Sequence, residues 1–276
     1  MARCIVIDSS GIAYRHYHAR IKQPLYSPSG EPTSVPYGYL KTRESLADVF
    51  DPIEFIVHVF DMPGEKHRVQ IDPSYKQNRQ PTPQGLTRQL ARTLEIVELI
   101  GELSLGVPSY EADDVIASLV SKFKSEFDEM IVVSIDKDLL QLVDEKVKVY
   151  RPFRMQMMDI EAVHKVVGVA PEHVAGWLAL VGDQSDNVRG VKGIGKKTAV
   201  KLLRKFGSFE SVVDHLSPQD SMAAKHAHSL VQLYKTLELK LDVDDIKKKP
   251  AKIAELERVF QDLGFNQFLE ESSFKF

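Results

Sequence analysis

The stretch "EMIVVSID", residues 129–136, decides the fold class of this chain. It is a short run rich in Ile and Val that ends on an aspartate, which is typical of a strand buried on both faces of a sheet. Two earlier runs have the same form, "CIVID" at residues 4–8 and "EFIVHVFD" at residues 54–61, and helical patterns separate the three. This alternation predicts an α/β fold with a mostly parallel central sheet flanked by helices.

The ends of these three strands carry Asp8, Asp61 and Asp136. In open α/β sheets, ligands bind at the carboxyl ends of the strands. One aspartate in such a place is usually a turn former or a helix cap, but three strands ending alike favour a common site. Six further carboxylates stand in close groups: Glu111, Asp113 and Asp114 in "YEADDV", Asp138 in "SIDKDLL", and Asp183 and Asp186 in "GDQSDN".

The nine carboxylates together predict a metal site, because so many acids in one cleft could not all stay ionised without cations. Oxygen ligands favour Mg²⁺ or Mn²⁺ over Zn²⁺. The single cysteine, Cys4, excludes an internal disulfide and a Cys-rich zinc site, and it indicates a reducing compartment. No apolar run approaches the ~20 residues that span a bilayer, and the first apolar run is too short for a signal peptide. We therefore expect a cytoplasmic protein without a membrane partner.

The distribution of charge indicates a polyanionic partner. The chain has 36 Lys and Arg against 39 Asp and Glu, so setting the nine carboxylates aside leaves 30 acids and an excess of six positive charges. Residues 187–209 hold seven Lys or Arg and no acid, and residues 66–92 hold six against one acid. Clustered positive charge is the footprint of phosphate contacts, although a single zone of this kind is commonly a solvated helix face.

The first basic zone contains "VRGVKGIGKKTAVKLLRKFG", residues 188–207. Its glycines allow a tight turn, and a helix is predicted to begin near Lys196, where free N–H groups make an anion site. A lone G-x-G before a helix is often only a turn, but the basic stripe that follows favours a helix–hairpin–helix that holds the DNA backbone without reading bases. The residues expected to contact DNA here are Gly193, Gly195, Lys196, Lys197, Lys201 and Arg204.

The second basic zone contains "DPSYKQNRQPTPQGLTRQLAR", residues 72–92, a proline-punctuated loop that leads into a helix. Long polar connections within compact domains are commonly functional or disordered. Tyr75 beside Lys76 and Arg79 offers base stacking next to phosphate contacts, as in proteins that bind single strands. A plain surface loop is the alternative for this segment.

The chain resembles the 5′-nuclease (flap endonuclease) family, in particular the 5′→3′ exonuclease domain of bacterial DNA polymerase I and stand-alone phage 5′ nucleases. Six segments carry the resemblance in order along nearly the whole chain: "IVIDSSGIAYRHYHA", "VFDMPGEKHR", "YKQNRQPTP", "YEADDVIASL", "SIDKDLLQLV" and "LVGDQSDNVRGVKGIGKKTA". Each segment alone is modest evidence, whereas all six in order are highly specific.

The resemblance implies the roles of the site residues. The first metal site would be built by Asp8, Asp61, Glu111, Asp113 and Asp114, the second by Asp138, Asp183 and Asp186, with Asp136 between the two. Lys76 and Arg79 would stand at the base of a helical arch, about residues 66–108, and would be catalytic together with Asp8 and Asp136. Backbone carbonyls of Val191 and Ile194 would hold a K⁺ ion at the hairpin.

The resemblance also implies an activity and a domain organisation. We expect an α/β nuclease core at residues 1–176 and a helical DNA-binding region at residues 177–276, with the helix–hairpin–helix at about 183–206. A monomer with two Mg²⁺ ions, or Mn²⁺ in their place, would cut DNA at 5′ flaps, nicks and RNA primers in RNA–DNA hybrids, during replication or repair in a bacterial or phage-infected cell. Coupling to replication proteins would be in trans. The alternative is a non-cleaving DNA-junction-binding protein; a metal-dependent RNase is disfavoured by the hairpin and the arch segment.

Overall fold

A six-stranded sheet is the framework of the computed structural model, which describes residues 2–270. Its strands are β1 (Arg3–Asp8), β2 (Phe55–Val59), β3 (Leu103–Leu105), β4 (Glu129–Val133), β5 (Val147–Arg151) and β6 (Gln156–Met158), in the spatial order β3-β2-β1-β4-β5-β6. The first five are parallel and β6 returns antiparallel to β5. The three runs predicted as strands are β1, β2 and β4, which are neighbours, so the predicted α/β class is confirmed.

Helices cover both faces of the sheet and form the C-terminal part of the described chain. They are α1 (Ser9–Ala19), α2 (Ser34–Phe50), α3 (His67–Ile71), α4 (Gln84–Leu99), α5 (Ala112–Phe123), α6 (Ile160–Val167), α7 (Val174–Val181), α8 (Lys196–Phe206), α9 (Phe209–Asp214), α10 (Pro218–Val231), α11 (Ile253–Leu263) and α12 (Asn266–Glu270). A short antiparallel pair, β7 (Gly182–Asp183) and β8 (Val188–Arg189), follows α7.

Burial on both faces explains why β1 is a continuous apolar run. Successive side chains of a strand point to opposite faces. Cys4 and Val6 lie in the core that includes α5, whereas Ile5 and Ile7 lie in a second core with residues of α1 and α2. Both faces must therefore be apolar between Cys4 and Ile7, and the polar side chains of β1, Arg3 and Asp8, come at its two ends.

The core on the α5 side continues without a break into the C-terminal helices. Val115 of α5, Trp177 of α7 and Leu203 of α8 belong to one cluster of buried residues. The boundary predicted between residues 176 and 177 falls inside α7. The last residues of the predicted helical region, 271–276, lie outside the described part of the chain.

The segment predicted as an arch, about 66–108, is in large part packed into the fold. Ile96 and Val97 on α4 are buried in two cores, and β3 is the edge strand of the sheet. The loop at residues 72–83, between α3 and α4, is the part of this segment without a helix or strand longer than a turn, and Tyr75 within it is buried. The arch at about 66–108 stays a prediction.

The predicted helix after the glycine turn is confirmed, since α8 begins at Lys196 with Gly195 as its N-cap. Gly193 has φ +83°, the left-handed region that glycine adopts without strain. Ala199 and Leu203 are buried, whereas Lys197 and Lys201 on the opposite side are exposed. Within residues 2–270, no helix is both long enough and apolar enough to cross a membrane.

Candidate metal centre

The carboxyl ends of β1 and β4 bring Asp8 and Asp136 to one edge of the sheet. β1 and β4 are paired in parallel, with Ile7 opposite Val133. Just past β4, Ser134 Oγ donates to Asp8 Oδ2 at 2.6 Å and accepts from Asp136 N at 2.9 Å. Asp8 is 4% exposed. Burial raises its pKa to about 6, although hydrogen bonds from Ser134 and Gly11 act in the opposite direction.

The first turn of α5 adds Asp113 to this edge. Its pKa lies well above the ordinary value, because the group is buried and because Asp136, Asp8 and Asp138 carry like charge close by. Asp61 lies beside the start of the same helix, where its Oδ1 accepts a hydrogen bond from Ala112 N at 3.0 Å. The carboxylates at the ends of β1 and β4, Asp61 beyond the end of β2, and the first turn of α5 therefore share one region, as the sequence predicts.

A second group lies next to the first. Asp138, Asp183 and Asp186 are all buried, and one carboxylate oxygen from each lies within 4.8 Å of the others. Burial and the charge of Asp136 raise the pKa of Asp138 to about 8. Three buried oxygens at this spacing suit a hard divalent cation, which would supply the positive charge that the group needs.

Three cationic side chains contact Asp138, Asp183 and Asp186. Lys137 Nζ donates to Asp183 Oδ2 at 2.5 Å and lies 3.5 Å from Asp138 Oδ1. Lys76 pairs with Glu111 and lies 3.4 Å from Asp186 Oδ2, and Arg79 also pairs with Asp186. Sequence reasoning identified Lys76 and Arg79 but missed Lys137. Its position between two acids of the predicted site, Asp136 and Asp138, could have indicated that it lies there.

Asp114 is held by a buried arginine, which engages both of its oxygens. Arg68 donates to Asp114 Oδ2 at 2.5 Å and to Oδ1 at 2.7 Å, and Oδ1 also accepts from Tyr234 N at 3.0 Å. Asp114 is 1% exposed. These bonds join α3 and α5 to the segment after α10 and occupy both of the oxygens that a metal ligand would offer. Sequence reasoning also missed Arg68, because a lone arginine in a basic zone carries no signal of its buried partner.

Tyr75 is also placed differently, since its ring is 5% exposed and belongs to the main core. The expected stacking of this ring on a base is therefore wrong. Its hydroxyl lies 3.0 Å from Glu111 Oε2 and 3.1 Å from Asp186 Oδ2, so one O–H hydrogen is shared between two carboxylates. The loop that carries Tyr75 is apolar at this one position because it packs onto the site.

The loop at residues 72–79 is tied directly to the segment that carries Asp183 and Asp186. Lys76 N donates to Asp186 O at 2.9 Å. Asn78 Nδ2 donates to Gln184 O at 2.8 Å, and Asn187 Nδ2 donates to Ser74 O at 2.7 Å. Lys76 itself has φ +55°, a conformation that a non-glycine residue adopts only where its surroundings hold it. These bonds set the position of Lys76 relative to the carboxylates.

The glycine hairpin presents its basic side chains on the surface next to this segment. Lys196, Lys197 and Lys201 are exposed. Arg204 is exposed too, but it donates to Gly168 O at 3.0 Å and so also joins α8 to the end of α6. Val191 O accepts from Ile194 N at 3.0 Å, which closes the turn whose carbonyls are predicted to hold K⁺.

Comparisons with known proteins show the family of the chain. The chain matches the family described as "5′-3′ exonuclease, N-terminal resolvase-like domain" over residues 3–168 and "5′-3′ exonuclease, C-terminal SAM fold" over residues 169–255. The 5′-3′ exonuclease of Aquifex aeolicus is 37% identical over 278 residues, which cover 98% of this chain and 95% of that protein. The thermostable DNA polymerase I of Thermus aquaticus is 35% identical over 279 residues, 98% of this chain but 33% of the polymerase.

A solved structure shows the same fold. T5 5′-exonuclease, determined with divalent metal ions (zinc) bound, has a TM-score of 0.69 to this chain at 22% identity, over 83% of this chain and 86% of that one. The family matches extend over both the sheet with its carboxylates and the helices with their basic hairpin. The chain belongs to the 5′-3′ exonuclease family.

Proposed function

We propose that this chain is a metal-dependent, structure-specific 5′ nuclease that hydrolyses phosphodiester bonds at free 5′ ends and 5′ flaps of DNA. One observation carries the proposal: two groups of carboxylates, most of them buried or half-buried, meet at one edge of the sheet, and the pKa values of Asp8, Asp113 and Asp138 are all raised there. Closely spaced carboxylates with raised pKa values suit a metal site, because bound cations would supply the positive charge that lets them ionise.

The donor set fits two divalent ions of the Mg²⁺ class. The first would be held by Asp8, Asp61, Asp113 and Asp136, with Glu111 beside them, and the second by Asp138, Asp183 and Asp186. When bound, Mg²⁺ or Mn²⁺ would polarise the phosphate and lower the pKa of a water that attacks it. All these ligands are oxygens, which is the chemistry that Mg²⁺ prefers.

The protein's own contribution is charge and position. Lys76 and Arg79 are next to Glu111 and Asp186, so they are placed to offset charge that develops on a scissile phosphate. Ser134 Oγ donates to the carboxylate of Asp8 and accepts from the backbone N–H of Asp136, so it ties the Asp8 carboxylate to the segment that carries Asp136. No side chain needs to act as nucleophile, and the products would be a 5′-phosphate and a 3′-hydroxyl.

The surface around the hairpin would hold the duplex. Exposed Lys196, Lys197 and Lys201 at the start of α8 are arranged to contact phosphates, as is the exposed face of Arg204. Close approach of the backbone at Gly193 and Gly195 suits the same role, since no side chain stands in the way there. A K⁺ ion at the carbonyls of Val191 and Ile194 belongs to this proposal.

The substrate range and the setting follow from the family relationship. The 37% identity to an exonuclease supports DNA ends as substrates, and the match to 33% of a DNA polymerase I supports a setting in replication or repair. We propose that a monomer acts on 5′ flaps, nicks and RNA primers in RNA–DNA hybrids.

The deciding experiment is cleavage of a 3′-labelled 5′-flap duplex with Mg²⁺. Cutting near the junction that is lost with EDTA and in Asp186→Asn supports the proposal. Asp262→Asn is the matched control, since it removes one exposed carboxylate of α11 and should cut normally. Tight flap binding without cutting, in Mg²⁺ and in Mn²⁺, would instead establish a non-cleaving junction-binding protein.

A further inference from the structure

A buried chain of hydrogen bonds runs from the residue next to Asp8 into the interior of the protein. Ser9 Oγ lies 2.5 Å from Tyr39 Oη, and Tyr39 Oη lies 2.6 Å from His58 Nδ1. His58 Nε2 lies 2.7 Å from Glu102 Oε2, and Arg43 pairs with Glu102 at 2.6 and 3.0 Å. All five side chains are buried, and none of them belongs to the proposed metal ligands.

The protons of these hydrogen bonds can be placed in only one way when Glu102 is ionised. Burial opposes the charge of Glu102, but the hydrogen bond from His58 and the charge of Arg43 outweigh it and hold its pKa at about 2. Burial lowers the pKa of His58, which is therefore neutral. His58 Nε2–H then donates to Glu102, and Nδ1 accepts the hydroxyl proton of Tyr39. Because Tyr39 has a single hydrogen, its oxygen must accept the proton of Ser9.

The last bond of the chain acts on the first turn of α1. Ser9 is the first residue of that helix, and Asp8 is its N-cap, with Oδ1 accepting from Gly11 N at 2.9 Å. The turn closes tightly around the carboxylate, since a Cβ placed on Gly11 would lie 2.3 Å from Asp8 Oδ2. A small displacement of Ser9 must therefore move the carboxylate of Asp8.

We propose that Tyr39 is a positioning residue for Asp8, acting through Ser9, and that Arg43, Glu102 and His58 hold its hydroxyl in place. The charged end of this hydrogen-bonded row lies in the interior between α2 and β3. There the Arg43–Glu102 ion pair and His58 share no hydrogen-bond partner with the proposed metal ligands. Asp8 is held from its other side by Ser134. The two supports fix both the helix turn and the carboxylate that it carries.

This inference rests on the proposed function only in taking Asp8 as a metal ligand. Partners that orient a metal ligand commonly change metal affinity by 10- to 100-fold when they are removed. Tyr39→Phe is the direct test, because it removes the hydroxyl and keeps the ring in its core. Tyr150→Phe is the matched control, since Tyr150 is buried in the same core and packs edge-on against Phe50.

Two readouts are needed, Mn²⁺ binding by calorimetry and flap cleavage as a function of Mg²⁺ concentration. We expect Tyr39→Phe to weaken Mn²⁺ binding and raise the half-saturating Mg²⁺ concentration roughly tenfold, with KM for the flap unchanged at saturating metal. Tyr150→Phe should leave both values at those of the unmodified chain. Ser9→Ala should reproduce the effect. The double variant should bind Mn²⁺ no more weakly than the single variant with the lower affinity, because both changes break the same hydrogen-bonded path.

The inference is overturned if Tyr39→Phe loses thermal stability while its Mn²⁺ affinity and metal dependence stay normal, or if the effects of Ser9→Ala and Tyr39→Phe are additive. If Tyr39→Phe does not fold, Ser9→Ala decides alone, since it removes one small hydroxyl. Failure of the unmodified chain to cut any flap would reject the proposed function, but the Mn²⁺ titration would still test the positioning role.

Discussion

Arg68 and Asp114 form a two-pronged, buried ion pair, with guanidinium nitrogens 2.5 and 2.7 Å from the two carboxylate oxygens. Asp114 stands directly after Asp113, yet the two neighbours have opposite surroundings. Asp114 is neutralised by a protein cation, whereas Asp113 faces three other aspartates, which together with burial raise its pKa. One residue is therefore paired with a protein cation inside the fold, whereas its neighbour faces like charges.

The contrast predicts opposite effects for the same substitution at these neighbours. Asp114→Asn takes the two-pronged counter-charge away from buried Arg68, which keeps only Glu111 at 3.2 Å, and should lower the free energy of unfolding by about 3 kcal/mol. Asp113→Asn removes a repelled carboxylate, so its stability in EDTA should be unchanged or higher, while Mn²⁺ binding is lost. Urea unfolding and Mn²⁺ calorimetry separate the two. Equal loss of metal binding in folded Asp114→Asn would show that Asp114 is a ligand after all.

The raised pKa values predict that metal-free protein loses stability as the pH rises from about 4 to 8. Burial puts the pKa of Asp8 at about 6 and that of Asp138 at about 8 in the folded chain, whereas unfolded aspartate titrates near 4. The folded state therefore binds more protons over this range, and stability falls as they leave. For Asp8 alone the loss is on the order of 3 kcal/mol.

Urea unfolding in EDTA at pH 5 and pH 8 measures this dependence. Asp138→Asn should flatten it, and saturating Mg²⁺ should restore stability at pH 8, since an ion that binds only the folded state stabilises it. Stability that rises with pH in EDTA would contradict the placement of these carboxylates.

The contact between Lys137 and Asp183 predicts that the lysine competes with a metal ion for this carboxylate. Its ammonium group donates to Asp183, one of the three carboxylates of the second group. Lys137→Met should lower the Mn²⁺ concentration for half-saturation about tenfold, because no protein cation then neutralises Asp183. In EDTA the same variant should be less stable, since the carboxylates lose their counter-charge.

The matched control for Lys137 is Lys148→Met, which breaks an ion pair of similar length with Glu129 on β4. It should leave Mn²⁺ binding unchanged. Weaker Mn²⁺ binding in Lys137→Met would mean instead that the lysine helps to orient Asp183 for the ion.

The basic stripe of α8 predicts a salt-dependent contact with DNA. Lys197→Ala and Lys201→Ala should each weaken flap binding in Ca²⁺ and reduce the slope of log K against log salt by about 1. Fluorescence anisotropy at several salt concentrations gives the slope. Lys252→Ala, at an exposed lysine before α11, is the control and should not change it. Unchanged slopes in both α8 variants would remove this helix from the DNA interface.

The predictable part of the fold is the part that depends on local pattern. β1, β2 and β4 are apolar runs because both faces of the sheet are covered, and their aspartates come at the edge because water begins there. The start of α8 was predictable for a similar reason, since glycines and a basic, half-apolar helix mark it within a few residues. The confirmed family resemblance rests on such local segments taken in order.

The roles of single acids were not predictable from those patterns. Glu111, Asp113 and Asp114 are near neighbours in "YEADDV", and Arg68, which separates the role of Asp114 from that of Asp113, lies 46 residues away from Asp114. Tyr75 looked like an exposed aromatic side chain in a basic loop, but the loop folds back onto Asp186. A sequence pattern shows which residues can ionise or pack, but it does not show which partner each of them contacts in the folded chain.

By itself, then, the sequence of this protein determined its α/β class, the edge of the sheet where the acids gather, and the helix behind the glycine turn, because periodicity and strand ends are local properties. Only the tertiary structure decided which acids face each other and which face a cation, and that Tyr39 reaches Asp8 through Ser9. Charge–charge and hydrogen-bond energies depend on distances between residues far apart in the chain, and those distances exist only after the cores have packed.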